Sequence, residues 1–146
     1  MLEKRTFANA MAIPVVVLLG LSACSKPGAA NGGGPTSAPR TLDPKLVEAG
    51  SRLFTNCATC HSTDSKVASP VGPNLAGVVG RRVASLPGFP YSSAMKAANG
   101  EWTPEQLDAF LKNPNQAYPG TAMAFGGLAK DEDRKAIIAF LESKTS

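Results

Sequence analysis

Histidine occurs once in this 146-residue chain, tryptophan once, tyrosine twice and cysteine three times, and only 18% of the residues are charged. The single imidazole excludes His-rich metal sites and every scheme needing two imidazoles from one chain. It also excludes most Ser-His and Cys-His catalysis unless His61 itself takes part. Three cysteines are an odd number, so a pure disulfide framework would leave one thiol over. Long hydrophobic runs are lacking too. The longest, around residues 12–21, covers about a dozen residues against the roughly 20 that a spanning helix needs, and Pro14 and Gly20 interrupt it. No alternating apolar run is long enough for a sheet. The formal charge of +4 falls when Glu3, Lys4 and Arg5 are set aside with the leader described next, leaving 13 basic against 10 acidic side chains. So small a surplus argues against nucleic acid as a partner.

Residues 1–23 have Lys4 and Arg5 ahead of an apolar stretch that ends at Ser22 and Ala23, the pattern of a secretory signal. Leu21-Ser22-Ala23-Cys24 has the form of a bacterial lipobox, in which the cysteine becomes the acylated first residue. Lipidation at Cys24 accounts for the odd cysteine, and Ser25 behind it favours outer-membrane sorting under Gram-negative rules. Residues 24–42 are rich in Gly, Pro, Ala and Ser and offer little to bury, so we read them as a tether with a reach of about 25 Å. The folded domain is expected over 43–146, one domain of ordinary size.

Four helices are predicted. Asp43 suits an N-cap and Pro44 the first helical position, and Leu46, Val47, Gly50, Phe54 and Cys57 fall on one face. A short helix runs from Ser92 or Ser93 to Ala98 and closes at Asn99-Gly100. Thr103 and Gln106 form a capping box for a third, with Leu107, Phe110 and Leu111 as its stripe and Pro114 as its stop. Asp131, Glu132 and Asp133 open the last, which carries Arg134, Ile137, Ile138 and Leu141 on neighbouring positions and ends near Lys144. The stretches 62–91 and 114–130 read as long Gly- and Pro-rich loops. Loops of that length in a compact domain imply that they wrap something.

The chemistry lies in Cys57-Ala58-Thr59-Cys60-His61, the Cys-x-x-Cys-His pattern of covalent haem attachment. Two thiols three residues apart near a helix end can form thioethers to two vinyl groups, and the adjacent imidazole supplies an axial nitrogen. A thioredoxin-like redox pair would belong with βαβ patterning, which is absent. Zinc wants four ligands, and the segment offers three candidates, two of them adjacent. The sixth iron position then needs a second donor. Of the methionines in the domain, Met95 lies in a short helix and reads as core packing. Met123, in a Pro/Gly-bounded loop between helices, reads as the ligand.

Residues from about Pro44 to Ser143 resemble a class I cytochrome c of the small mitochondrial and bacterial type. The likeness rests on the haem pentapeptide, Gly72-Pro73-Asn74-Leu75, Gly80-Arg81, Pro87-Gly88-Phe89, Tyr91, Trp102, Asn113-Pro114 and Pro119-Gly120-Thr121-Ala122-Met123. It implies an all-α fold of about four helices and long loops around one haem c, bound through Cys57 and Cys60, with iron held by His61 and Met123. It implies further that the Pro73 carbonyl receives the other nitrogen of His61. Arg81, Tyr91 and Trp102 would donate to one haem propionate, Thr121 would lie near the other, and Phe125 would shield the haem edge. Gly50, Phe54 and Phe140 match the crossing of the first and last helices. Departures are Phe110 where the family often has Tyr, Met95 where it often has Asn, and Asn115, Gln116 and Ala122 where it carries lysines beside the exposed edge.

An iron gripped from both faces leaves no position for substrate, so no catalytic residue is expected and one-electron transfer is the natural task. The resulting expectation is a monomeric, lipid-anchored carrier on the periplasmic side of a bacterial membrane, exchanging electrons with protein redox partners. The rivals are a haem sensor or peroxidase-like enzyme with a labile methionine, and a fixed cytochrome subunit of a larger complex.

Overall fold

The structure is a computed structural model describing residues 41–144. The expected signal segment, Cys24 and the tether as far as Arg40 lie outside the described residues.

Five helices follow in chain order: α1 (Pro44–Leu53), α2 (Ser93–Ala97), α3 (Pro104–Lys112), α4 (Pro114–Ala117) and α5 (Asp131–Glu142), with a 3₁₀ turn at Phe54–Asn56 continuing α1. Among the described residues, strand pairing is limited to an isolated bridge between Arg82 and Glu101. No helix among them is long and apolar enough to cross a membrane.

Each start has a local cause. The Asp43 carboxylate accepts from the Lys45 amide at 2.9 Å and Pro44 fills the first position of α1, so orphan donors there are satisfied or absent. Ser92 caps α2 through the Met95 amide. α5 has no side-chain cap, and instead places Asp131, Glu132 and Asp133 at the positive end of its dipole.

Two expectations need correction. The capping box at α3 is half formed. Thr103 Oγ1 accepts from the Gln106 amide at 3.2 Å, but the Gln106 side chain accepts from the Tyr118 hydroxyl, and the Thr103 amide donates to the Glu101 carbonyl. Likewise Pro114 ends α3 yet opens α4 at once, inside what was expected to be a continuous loop. Asn113 closes one helix in extended backbone and caps the next, its carboxamide oxygen accepting from the Gln116 amide at 3.0 Å. A missing N–H stops a helix from behind but costs nothing at a first position.

α1 and α5 make the most extensive helix pairing. At their crossing a Cβ on Gly50 would lie 1.9 Å from the Ala136 carbonyl oxygen and 2.7 Å from Phe140 Cβ, so only glycine permits the approach. Phe54 and Phe140, both buried, stack there at 5.1 Å between centroids. Each buried ring of this kind contributes about 1.5–3 kcal/mol of transfer free energy. Trp102, Phe110 and Tyr118 form a second aromatic cluster, with centroids 5.1–5.7 Å apart. Met95 lies buried in the same core as these rings, as expected of it.

Candidate functional site

Phe54 to His61 is a run of tight turns. The Phe54 carbonyl accepts from the Cys57 and Ala58 amides, and the Cys57 carbonyl accepts from the amides of Cys60 and His61, all within 3.0 Å. Both thiols are free and half-buried. Burial, and then the neighbouring Cys60, push the Cys57 thiol above its ordinary value. Among the described residues no group of three or more His, Cys, Asp or Glu is arranged to hold a metal ion.

His61 is held from two sides. Its Nδ1 lies 2.8 Å from the Pro73 carbonyl oxygen, which fixes the ring and leaves Nε2 as the nitrogen available to an iron. Gly72 presses on the imidazole: a Cβ there would come 2.3 Å from Cε1 and 2.8 Å from Nε2. The Gly72 and Val71 amides both donate to the Cys60 carbonyl, tying this loop to the pentapeptide. Asn74 braces the same loop, its amide donating to the Asp64 and Val67 carbonyls while its oxygen accepts from the Ala76 amide.

Arg81, Tyr91 and Trp102 are brought together. Backbone bonds link Arg81 to Trp102 and Gly80 to Trp102, and the half-buried Arg81 guanidinium feels the Tyr91 side chain. Burial lowers the Arg81 pKa. Two of its five donors go to the Asn74 and Ala76 carbonyls, at 2.8 and 3.2 Å. A partly desolvated cation with donors to spare, near the Tyr91 phenol, is a group that can receive a carboxylate. Thr121 belongs instead to the turn that carries Met123, where its hydroxyl oxygen accepts from the Met123 amide at 3.4 Å. Phe125 follows, its amide donating to the Met123 carbonyl. Met123 and Phe125 are half-buried against the core, on the loop between α4 and α5.

Sequence reasoning assigned no role to Gly72 or Asn74, although both stood in a quoted motif, and placed Arg134 only on a helix face. Nothing local marks a glycine as lying under a ring. That close approach is a tertiary fact.

Paired free thiols, an oriented imidazole with one nitrogen open and a carboxylate-accepting cluster together fit a porphyrin, and define a small helical haem protein. The comparisons agree. The family model described as Cytochrome c matches residues 47–145. Cytochrome c of Stellaria longipes is 46% identical over 97 residues, covering 66% of this chain and 90% of that protein. The c-type cytochrome cy of Rhodobacter capsulatus is 45% identical over 107 residues, 70% of this chain and 53% of that longer protein. Among solved structures, cytochrome cH from Methylobacterium extorquens superposes with a TM-score of 0.63 at 33% identity, over 67% of this chain and 98% of that one.

The chain belongs to the cytochrome c family, as a class I member. It has one Cys-x-x-Cys-His motif and so binds one haem c, through Cys57 and Cys60, as a monohaem electron carrier.

Proposed function

We propose that this cytochrome is a lipid-tethered carrier on the periplasmic side of a bacterial membrane, with iron ligated by His61 Nε2 and Met123 Sδ, and is not an enzyme. The observation that carries the ligand set is the 2.8 Å contact between His61 Nδ1 and the Pro73 carbonyl, which selects the ring nitrogen left for iron. Met123 is favoured over Met95 by position, because Met95 is buried within α2 and Met123 stands half-buried in a loop.

Haem supplies a one-electron couple at its iron. The chain's part would be to supply ligands to that iron and to keep it partly dry. His61 Nε2 and Met123 Sδ would be the residues that hold the iron, and the soft sulfur would favour its ferrous state. Arg81, Tyr91 and Trp102 would supply donors for one propionate and Thr121 a hydroxyl near the other, while Phe125 would cover the edge. Docking does not depend on a basic ring. Val71 is 71% exposed and its amide is bonded to the Cys60 carbonyl, Val67 is 52% exposed, and residues 113–129 carry no charge. A small, weakly charged contact suits partners that must separate after each electron.

Replacing Met123 by Ala is expected to abolish the far-red methionine-to-iron(III) band and to create carbon monoxide binding in the ferrous protein; an unchanged spectrum refutes the ligand. Carbon monoxide binding by the unmodified protein at neutral pH would favour the sensor or peroxidase reading instead. For the anchor, Cys24→Ser should release the protein from membranes, and continued retention would count against acylation.

A further inference from the structure

Arg134 is the one charged residue buried in the core among the described residues, 2% exposed, and all five of its N–H donors are engaged. Nε donates to Asp108 Oδ1 at 2.8 Å and Nη2 to Asp108 Oδ2 at 3.4 Å, a two-pronged pair reaching from α5 to α3. Nη2 also donates to Asp131, one turn earlier on α5. Nη1 donates to two backbone carbonyls, Leu128 at 2.8 Å and Ala129 at 2.9 Å. The hydrogen bonds that Arg134 donates to Asp108 and then Asp131 hold its pKa above the ordinary value against the opposing effect of burial.

A buried ion pair is an inefficient way to join two helices, since apolar side chains of similar volume do as well or better. What apolar side chains cannot do is donate to two carbonyls. Those carbonyls end the loop carrying Met123, and the loop has few other ties. Its first half bonds to itself, through Thr121 to Tyr118, Met123 to Thr121 and Phe125 to Met123. Its second half is fixed where Gly127 packs on the Lys112 carbonyl, where the Leu128 amide donates to the Leu111 carbonyl at 2.8 Å, and where Arg134 takes the next two carbonyls. That fixed end lies four to six residues beyond Met123, close enough to set how far the sulfur reaches.

We infer that Arg134, oriented by Asp108, is a positioning residue for the axial methionine, clamping the loop so that Met123 stays on the iron against competing ligands. The inference rests on the reading of Met123 as ligand. Loosening the clamp adds loop conformers in which the sulfur is away, and an outside ligand binds in proportion to that open fraction.

The test is an imidazole titration of the ferric holoprotein at neutral pH, followed by loss of the far-red band, for Asp108→Asn, Arg134→Lys and Ile138→Val. Ile138 is buried in α5 and makes no bond to the loop, so its truncation reports general destabilisation alone. Asp108→Asn and Arg134→Lys should each bind imidazole about tenfold more tightly than the unaltered protein, the change expected when a charge-assisted pair is weakened by roughly one order in equilibrium constant. Hydrogen exchange at the Leu128 amide should quicken alongside. Ile138→Val should lower the melting temperature and leave imidazole affinity unchanged. Should Arg134→Lys fail to fold, Asp108→Asn decides, because that carboxylate is partly exposed. Unchanged imidazole affinity in Asp108→Asn, or an equal gain in Ile138→Val, overturns the clamp. A far-red band that survives Met123→Ala overturns the ligand reading beneath it, a separate result.

Discussion

Gly72→Ala makes the sharpest test of how the imidazole is held. The added Cβ would sit 2.3 Å from His61 Cε1 and 2.6 Å from Nδ1, where ordinary contact begins near 3.4 Å, so ring or backbone must move by about 1 Å. Neither can yield freely. The ring is bonded to the Pro73 carbonyl one residue away, and the Gly72 amide is bonded to Cys60 at 2.8 Å. Whichever side moves, the Nδ1 to Pro73 contact is strained or lost, a net loss of about 0.5–1.5 kcal/mol on top of the roughly 1–3 kcal/mol of overpacking. For a domain of this size each kcal/mol lowers the melting temperature by about 4–8 °C. Thermal unfolding followed in the visible band should fall accordingly, and the reduction potential should shift because the ligand loses its hydrogen-bonded orientation. Gly126→Ala is the control: a Cβ there meets nothing within 4 Å, and it should melt like the unaltered protein. Melting and potential unchanged in Gly72→Ala would mean that the glycine is not a support for the ring.

Gly50→Ala should cost at least as much, about 1–3 kcal/mol or more, since its Cβ would meet the Ala136 carbonyl at the α1–α5 crossing, and denaturant unfolding should read the loss as a lower midpoint. Acid should act partly through Asp131, whose carboxyl is held below the usual aspartate value, first by the hydrogen bond from Arg134 and then by its charge. A depressed folded pKa gives stability that is present above the unfolded value and lost as pH falls through the folded one. The Asp131→Asn protein should therefore have a flatter stability curve below about pH 4, in denaturant titrations from pH 5 to 2. Electron exchange with ferricyanide should depend less on ionic strength than a net-positive chain implies, because residues 67–80 and 113–129 carry no charge. A steep fall in stopped-flow rate with added salt would contradict a neutral docking face.

Much of this protein is legible along the chain, where the cause is local. Asp43-Pro44 and Ser92 start helices by supplying an acceptor or removing a donor, and the structure places both where the caps are. Cys57-Ala58-Thr59-Cys60-His61 states its cofactor because thioether attachment demands that spacing. Asn113-Pro114 was readable only in part, since the same proline can end one helix and begin another, and the choice depends on whether backbone beyond it has a core to pack on. The Gln106 side chain was misplaced for a similar reason: Tyr118, twelve residues away, offers it a hydroxyl that the capping box cannot outbid. Spacing and residue type thus determined the haem, its attachment and the helical class. Only the tertiary structure decided that Gly72 lies under the imidazole and that Arg134 ties two helices to the methionine loop. Those relations join residues distant along the chain, and no property of one position records how closely another will approach.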